Sequence, residues 1–361
     1  MSEARSIRGG RTRSHFRGCL LGGAVGDALG APIEFKKLGE IRSEFGPAGL
    51  RDYSLAYGRL GAITDDTQLA LFTAEALLRA EHCRVRDADC PVIEVAWHAY
   101  LRWLETQGEV VQRRGLPDED GWLVTVRELH ARRAPGVTCM TGLKKGRMGT
   151  TDRPLNDSKG CGGVMRIAPA GFAYGEPFRL GCQLAALTHG HPTGFLAAGY
   201  LSQLVHEVAD GRSIEEGALR ALDVLRRQPM HEETSLAVER AIDLAKASRG
   251  TAEDLEALGL GWVAEEALAM GLYASLVAQS FEHGVLLAVN HSGDSDSTGA
   301  IAGNLLGLAL GEHAIPARWV ERLELRDVIA QVADDLHRHF GSGAVPCRGG
   351  QCGAWARYPA N

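Results

Sequence analysis

The sequence contains no long apolar run, no CxxC pair, no internal repeat and no interior linker rich in proline or serine. A membrane-spanning helix needs ~18 consecutive apolar residues, so none is expected here. The basic start followed by CLLGGAV imitates a secretory signal. That run is short, interrupted by glycine and stopped by Asp27, which excludes the signal and leaves a cytoplasmic location as the expectation. Proline is sparse at 13, and the 45 glycines follow no three-residue period, which excludes collagen-like and low-complexity chains. The eight cysteines are scattered and read as reduced thiols rather than a disulfide framework. Cys347 and Cys352 (CRGGQC) offer half a zinc site without a second pair, and read better as loose tail. Excess positive charge is also missing: the net charge is −6, which argues against general nucleic-acid binding.

What is present is 45% hydrophobic residues over 361 positions. A chain of that length buries roughly three quarters of its unfolded surface and does not remain disordered. Apolar residues recur at helical spacing in Thr67–Ala80, Val92–Leu104, Phe195–Val208, Ser235–Lys246, Glu265–Val277 and Thr298–Leu310. In the first of these, Leu71, Ala74, Leu77 and Leu78 share one face. Strand-like alternation is nearly absent, and Gly284–Asn290 (GVLLAVN) is the one run that fits a buried strand. The expectation is an all-α fold with one compact domain over 15–340. A flexible basic tail precedes it over 1–14, and a glycine-rich tail follows over 341–361. Three connections, Gly30–Gly61, Pro135–Gly163 and Thr188–Gly194, are long or rich in glycine, and loops beyond ~15 residues are often functional.

Two acidic clusters each stand just ahead of a helical run: Thr64-Asp65-Asp66-Thr67 and Gly293-Asp294-Ser295-Asp296-Ser297-Thr298. Capping explains one acid at each helix start. It does not explain two. If the clusters meet, four carboxylates converge, and burying that charge requires a cation. Carboxylate and hydroxyl oxygens are hard ligands that suit Mg²⁺ or Mn²⁺, and paired ions can orient a substrate's hydroxyls and activate a water. An EF-hand loop starting at Asp294 fails, because its twelfth position is Leu305 rather than Glu. The DxDxT pattern at Asp294 also fits a phosphatase of the haloacid dehalogenase type, although that motif usually opens an α/β domain.

Two further segments bear chemistry. In Ser158–Arg166 (SKGCGGVMR) closely spaced glycines let backbone N–H groups approach a phosphate, with Lys159 or Arg166 assisting, although no Walker A loop is formed. Cys161 in this segment reads as a small packed residue rather than a nucleophile served by His189 or His191. In Thr188–Gly194 (THGHPTG) the shaped turn presents at least one imidazole to a ligand.

These features in this order resemble the ADP-ribosylglycohydrolase family. The resemblance rests on Gly18–Phe35, Thr64–Leu71, Asn156–Gly171, Leu187–Gly194 and Asn290–Gly307. It implies a single multi-helix domain with a binuclear cleft holding two Mg²⁺, Mn²⁺ being an alternative. The implied metal shell is Thr64, Asp65, Asp66, Asp294, Asp296 and Ser297, where many relatives carry Thr in place of Ser297. The implied substrate contacts are Glu34, Lys159, Gly160, Gly162, Gly163, Met165 and His189. Asp66, Asp296 and Asp157 are the catalytic candidates, Asp157 as a further acid near the scissile bond. GDSDST with THGHPTG resembles the branch acting on ADP-ribosyl-arginine, whereas the branch acting on serine linkages more usually carries DTDT. Cys161 departs from the family, where many relatives place Asn. The expected ligands are ADP-ribose and an ADP-ribosylated protein. The alternatives are another ADP-ribosyl linkage, a binding or immunity protein that neutralises an ADP-ribosyltransferase partner, or a DxDxT phosphatase.

Overall fold

The computed structural model describes residues 11–86, 90–111, 121–247, 250–341 and 353–359. In chain order the helices are α1 (Arg13–Gly30), α2 (Leu38–Phe45), α3 (Asp65–Arg86), α4 (Val92–Thr106) and α5 (Val137–Lys144). There follow α6 (Pro177–Ala186), α7 (Pro192–Ala209), α8 (Ile214–Leu225), α9 (Glu232–Ala247), α10 (Ala252–Glu256) and α11 (Ala264–Leu276). The last are α12 (Phe281–Val289), α13 (Ser295–Leu310), α14 (Ala317–Arg322), α15 (Arg326–Phe340) and α16 (Gly353–Arg357). Among the described residues there is no strand, only two isolated bridges, so the all-α expectation holds. No described helix is long and apolar enough to cross a membrane.

One helix pair sets the architecture. α1 and α13 are buried along most of their length and lie side by side, with α15 against α1 and with α11 and α12 against α13. Gly18, Gly22, Gly26 and Gly30 recur every four residues and so form one stripe on α1. They face Gly307, Gly303, Gly299 and the start of α13 in reverse order, which makes the pair antiparallel. A Cβ on Gly26 would sit 1.9 Å from the carbonyl oxygen of Gly299, and one on Gly303 2.0 Å from that of Gly22. Backbone touches backbone, and no side chain fits between them. The consequence is positional: the C-terminal end of α1, with Glu34 just beyond it, meets the N-terminal end of α13 with its acids.

Several elements differ from the sequence expectation. Gly284–Asn290 is not a strand: residues 284–289 are helical within α12, which Ser280 caps by accepting from the His283 N–H at 3.1 Å. An apolar run buried against neighbours on more than one side has no distinguishing period. The long connections contain α2 and α5. The flexible tail expected over 1–14 does not include residues 11–14. α1 starts at Arg13, and the Arg11 guanidinium donates to the carbonyls of Val208 (3.0 Å), Ala309 (3.0 Å) and Arg212 (3.2 Å). Residues 1–10 of that tail, with Cys347 and Cys352, lie outside the described residues. The described end of the C-terminal tail is docked rather than loose. Arg357 pairs with buried Asp335 (2.9 and 3.0 Å), the His82 Nδ1 meets the Tyr358 carbonyl at 2.6 Å, and Tyr358 is fully buried.

The glycine contact predicts a measurable asymmetry. Gly303→Ala should cost about 1–3 kcal/mol by overpacking, seen as a thermal midpoint lower by several degrees. Gly39→Ala, whose new Cβ meets nothing within 4 Å, should be neutral or up to about 1 kcal/mol more stable. Equal midpoints for the two variants would contradict the packing account.

Candidate functional site

The N-terminus of α3 is held in place from two sides. On one side Glu324 accepts from the Ile63 N–H (3.1 Å) and from Arg133 (2.8 and 3.1 Å), while Arg133 also donates to the Ile63 carbonyl. On the other side Asp27, fully buried in α1, accepts from the Thr64 N–H (3.0 Å), the Thr64 hydroxyl (2.8 Å), the Thr67 N–H (3.1 Å) and the Thr67 hydroxyl. Asp27 thus locks α3 to α1. It was not among the residues expected at the site. Its signal in the sequence was a carboxylate inside an otherwise apolar, glycine-rich helix. Because the Thr64 proton goes to Asp27, the Thr64 oxygen retains lone pairs for a cation.

This arrangement sets Asp65 and Asp66 in the first turn of α3, close to the first turn of α13. Asp294 caps α13 by accepting from the Ser297 N–H at 3.3 Å, and Asp296 Oδ1 accepts from the same N–H at 3.0 Å. Glu34, Asp294 and Asp296 bring carboxylate oxygens within 4.8 Å of one another. Asp27, Asp65, Asp66, Asp294 and Asp296 are each only 0–3% exposed. The charge of Asp296 acts on both Asp65 and Asp66, while the oxygens within 4.8 Å of one another are those of Glu34, Asp294 and Asp296 alone among the described residues.

Electrostatics make the cluster unstable as six bare anions. Burial first, with Asp296 nearby, holds the carboxyls of Asp65, Asp66 and Asp294 well above the usual carboxylate range. Burial and Asp296 push Asp27 up to about 7 and Glu34 up to about 10. In this cluster Asp66 Oδ2 and Glu34 Oε2 are buried with no hydrogen-bond partner among the described residues. Orphaned hard oxygens in a crowd of carboxylates are what a divalent cation satisfies, so the residues present fit Mg²⁺ or Mn²⁺.

The glycine turn lies across from the acids. Residues Cys161–Gly163 form a 3₁₀ turn, and the Cys161 thiol donates to Asp294 Oδ2 at 2.8 Å. Gly162 is required by crowding rather than by φ: a Cβ there would sit 2.7 Å from Cys139 Sγ and 3.0 Å from the His189 ring. Gly160 and Gly163 lie against the same ring. Arg166 donates to the Thr188 hydroxyl at 2.8 Å, and that hydroxyl in turn meets His189 Nδ1 at 2.8 Å. The Thr188 hydroxyl, which also reaches the Ala185 carbonyl at 3.4 Å, can donate to Nδ1 or accept from it, and Nε2 lies beside the turn. Burial and Arg166 lower the His189 imidazole to about 3, so it stays neutral.

Met165 reaches the same place, with its sulfur accepting from the Ser297 hydroxyl at 3.6 Å. Two expected residues are elsewhere. The Lys159 ammonium is held by Glu233 (2.6 Å) and Glu265, and Asp157 is exposed with no hydrogen bond or ion pair among the described residues.

Comparison with known proteins identifies the family. The sequence model of the ADP-ribosylglycohydrolase family matches residues 9–344. The chain belongs to that family. It is 27% identical over 319 residues to the ADP-ribosyl-[dinitrogen reductase] glycohydrolase of Rhodospirillum rubrum, covering 86% of this chain and 90% of that protein. It is 26% identical to the ADP-ribosylarginine hydrolase Tri1 of Pseudomonas putida, covering 89% of this chain and 77% of that one. A solved structure described as an ADP-ribosylglycohydrolase-related protein complex superimposes with a TM-score of 0.65 at 29% identity, over 90% of this chain and 98% of the other. Within this ADP-ribosylglycohydrolase the carboxylates, the glycine turn and His189 occupy one site.

The raised carboxyls fix the sign of a pH effect. Without a cation the folded state keeps protons that the unfolded chain releases above about pH 4, so stability falls as pH rises through Asp27's value near 7. Mg²⁺ should offset that loss. The gain in thermal midpoint from Mg²⁺, measured against EDTA, should therefore grow from pH 5 to pH 8. A gain that is flat or shrinks over that range would contradict the assignment.

Proposed function

We propose that this chain hydrolyses the N-glycosidic bond between ADP-ribose and an arginine side chain of a modified protein. Thr64, Asp65, Asp66, Asp294, Asp296 and Ser297 would hold two Mg²⁺ ions. The observation that carries the reading is the gathering of Glu34, Asp294 and Asp296 within 4.8 Å, with Asp65 and Asp66 buried under the influence of Asp296, and Asp66 Oδ2 and Glu34 Oε2 unpartnered among the described residues. When bound, the ions supply charge compensation and orient and polarise the ribose hydroxyls.

The chain's own residues account for the rest. Asp66 Oδ2, one of two site carboxylate oxygens without a partner among the described residues, is the group assigned here to take a proton from the attacking water. Asp296 holds the start of α13 through the Ser297 N–H and completes the charge around the sugar. His189 offers a neutral imidazole beside the Gly160–Gly163 turn, where the ribose and diphosphate would lie. Lys159 contributes the backbone of that turn; its ammonium is a strut between Glu233 and Glu265. Asp157, exposed and without a hydrogen bond or ion pair among the described residues, takes no part in this reading. Because the buried acids are committed to cations, hydrolysis by direct displacement is favoured over a covalent glycosyl-enzyme.

The arginine linkage rests on GDSDST and THGHPTG, and on relatives named as ADP-ribosylarginine hydrolases. Relatives named ADP-ribosylhydrolase ARH3, at 23–24% identity, span the chain as well, so another linkage belongs in the test, and the serine-linked conjugate weighed above serves as that arm. Release of ADP-ribose from arginine-modified and serine-modified proteins should be followed with Mg²⁺ and with EDTA. The expected result is EDTA-sensitive release from arginine, reduced at least about 10²-fold in Asp66→Asn and Asp296→Asn with the helical circular dichroism intact. Release from serine alone would overturn the linkage, and unchanged release in both variants would overturn the site.

A further inference from the structure

His82 of α3 and His339 of α15 meet beneath residues 353–359. They are 1% and 3% exposed, and their Nε2 atoms face each other at 2.9 Å. The other nitrogen of each ring is also engaged. His82 Nδ1 meets the Tyr358 carbonyl at 2.6 Å, and His339 Nδ1 meets the Asp335 carbonyl at 2.7 Å. A carbonyl only accepts, so both Nδ1 atoms must carry protons. Two neutral rings then have none left for the contact between the Nε2 atoms. One further proton completes it. A second cannot enter, because two N–H groups would point at each other across 2.9 Å. The docked pair therefore holds at most one extra proton, whereas two separate imidazoles in water take up two.

The surroundings offer nothing to balance a second charge. Glu81 of α3 is paired with Arg84 at 2.7 Å, and Asp335 of α15 with Arg338 at 2.9 Å and with Arg357 of the segment at 2.9 and 3.0 Å. The remaining titratable neighbours are the phenols of Tyr358 and of Tyr174, whose hydroxyl donates to the His339 carbonyl at 3.0 Å. Trp355 covers His82, with ring centroids 4.4 Å apart and planes 4° from parallel. Once the segment leaves, His82 loses that cover and its Nδ1 partner and can turn to water. We propose that residues 353–359 are an acid-released clasp, docked on His82 and His339 at neutral pH and shed as the two rings take up protons. Burial lowers both imidazoles in the docked form, His82 to about 4, so docking is complete above the free-histidine value near 6.5 and is lost as pH falls below it. Release separates Arg357 from buried Asp335 and does not depend on which bond the enzyme cleaves.

Amide hydrogen exchange of the full-length protein reads the clasp at two places. The Trp122 N–H donates to the Arg357 carbonyl at 3.1 Å, and the Tyr358 N–H donates to the Ala354 carbonyl at 2.8 Å. Protection, corrected for the intrinsic rate at each pH, should fall between pH 7 and pH 5 by at least about sixfold, the figure for a docked pair that keeps one proton throughout. The fall reaches about 600-fold if the docked pair keeps none. It should be absent from the buried amides of α13 and lost in His82→Gln/His339→Gln. Equal protection at both pH values in the wild type, a fall shared by α13, or the same fall in the double variant would overturn the proposal. If the double variant does not dock at pH 7, imidazole NMR of the wild type decides. The two rings should gain no more than one proton between them while 353–359 stays protected, and two charged rings under a protected segment would overturn it.

Discussion

Two helices that touch through their backbones set the geometry of this protein. At 1.8–2.3 Å from a carbonyl oxygen of the opposite helix, no Cβ can exist at Gly18, Gly22, Gly26, Gly303 or Gly307. The close approach does more than fill space. Because α1 and α13 run antiparallel, the end of one is pressed to the start of the other. Glu34 follows α1, and Asp294 and Asp296 begin α13. Asp27, on the same α1, then reaches across to Thr64 and Thr67 and fixes the start of α3. Three chain segments far apart in sequence are brought to one point through hydrogen bonds and van der Waals contact alone.

That geometry creates an electrostatic conflict. Helix starts favour negative charge, and a single capping acid at each would be stabilising. Here each start carries two acids, and they are buried together with a fifth and a sixth carboxyl. Hydrogen bonds satisfy part of the demand: Gly136 donates to Asp65, Ser297 to Asp294 and Asp296, and four groups donate to Asp27. The oxygens left over face one another. A fold that needed these residues only as caps would leave them exposed. Their burial gives the site a function tied to cations, and family membership connects that function to ADP-ribosyl bonds.

Much of this was legible in the sequence, because the strongest signals are local. Helical periodicity found α4, α7, α9, α11 and α13 to within three residues at each end, and α3 apart from its last six residues. The paired acids stood out because they exceed what capping needs. What escaped was non-local. The surplus glycine was read as loop material, yet seven glycines belong to the α1–α13 contact, where spacing every four residues was the available sign. Asp27 was noticed only as an interruption of an apolar run. Its role depends on Thr64 and Thr67, which the chain brings to it from about forty residues away. Lys159 looked like a phosphate ligand because no local pattern reveals that Glu233 and Glu265 neutralise it. Trp355 and Tyr358 in a glycine-rich tail were the hint that this segment docks, against His82 and Asp335.

The central claim is that the α1–α13 contact assembles these carboxylates to hold divalent cations. Anomalous diffraction from crystals grown with Mn²⁺ tests it most directly. The account predicts two strong peaks among Asp65, Asp66, Asp294 and Asp296, within coordination distance of the Thr64 and Ser297 hydroxyls. Peaks found only at other sites, or none among these carboxylates at saturating Mn²⁺, would contradict it.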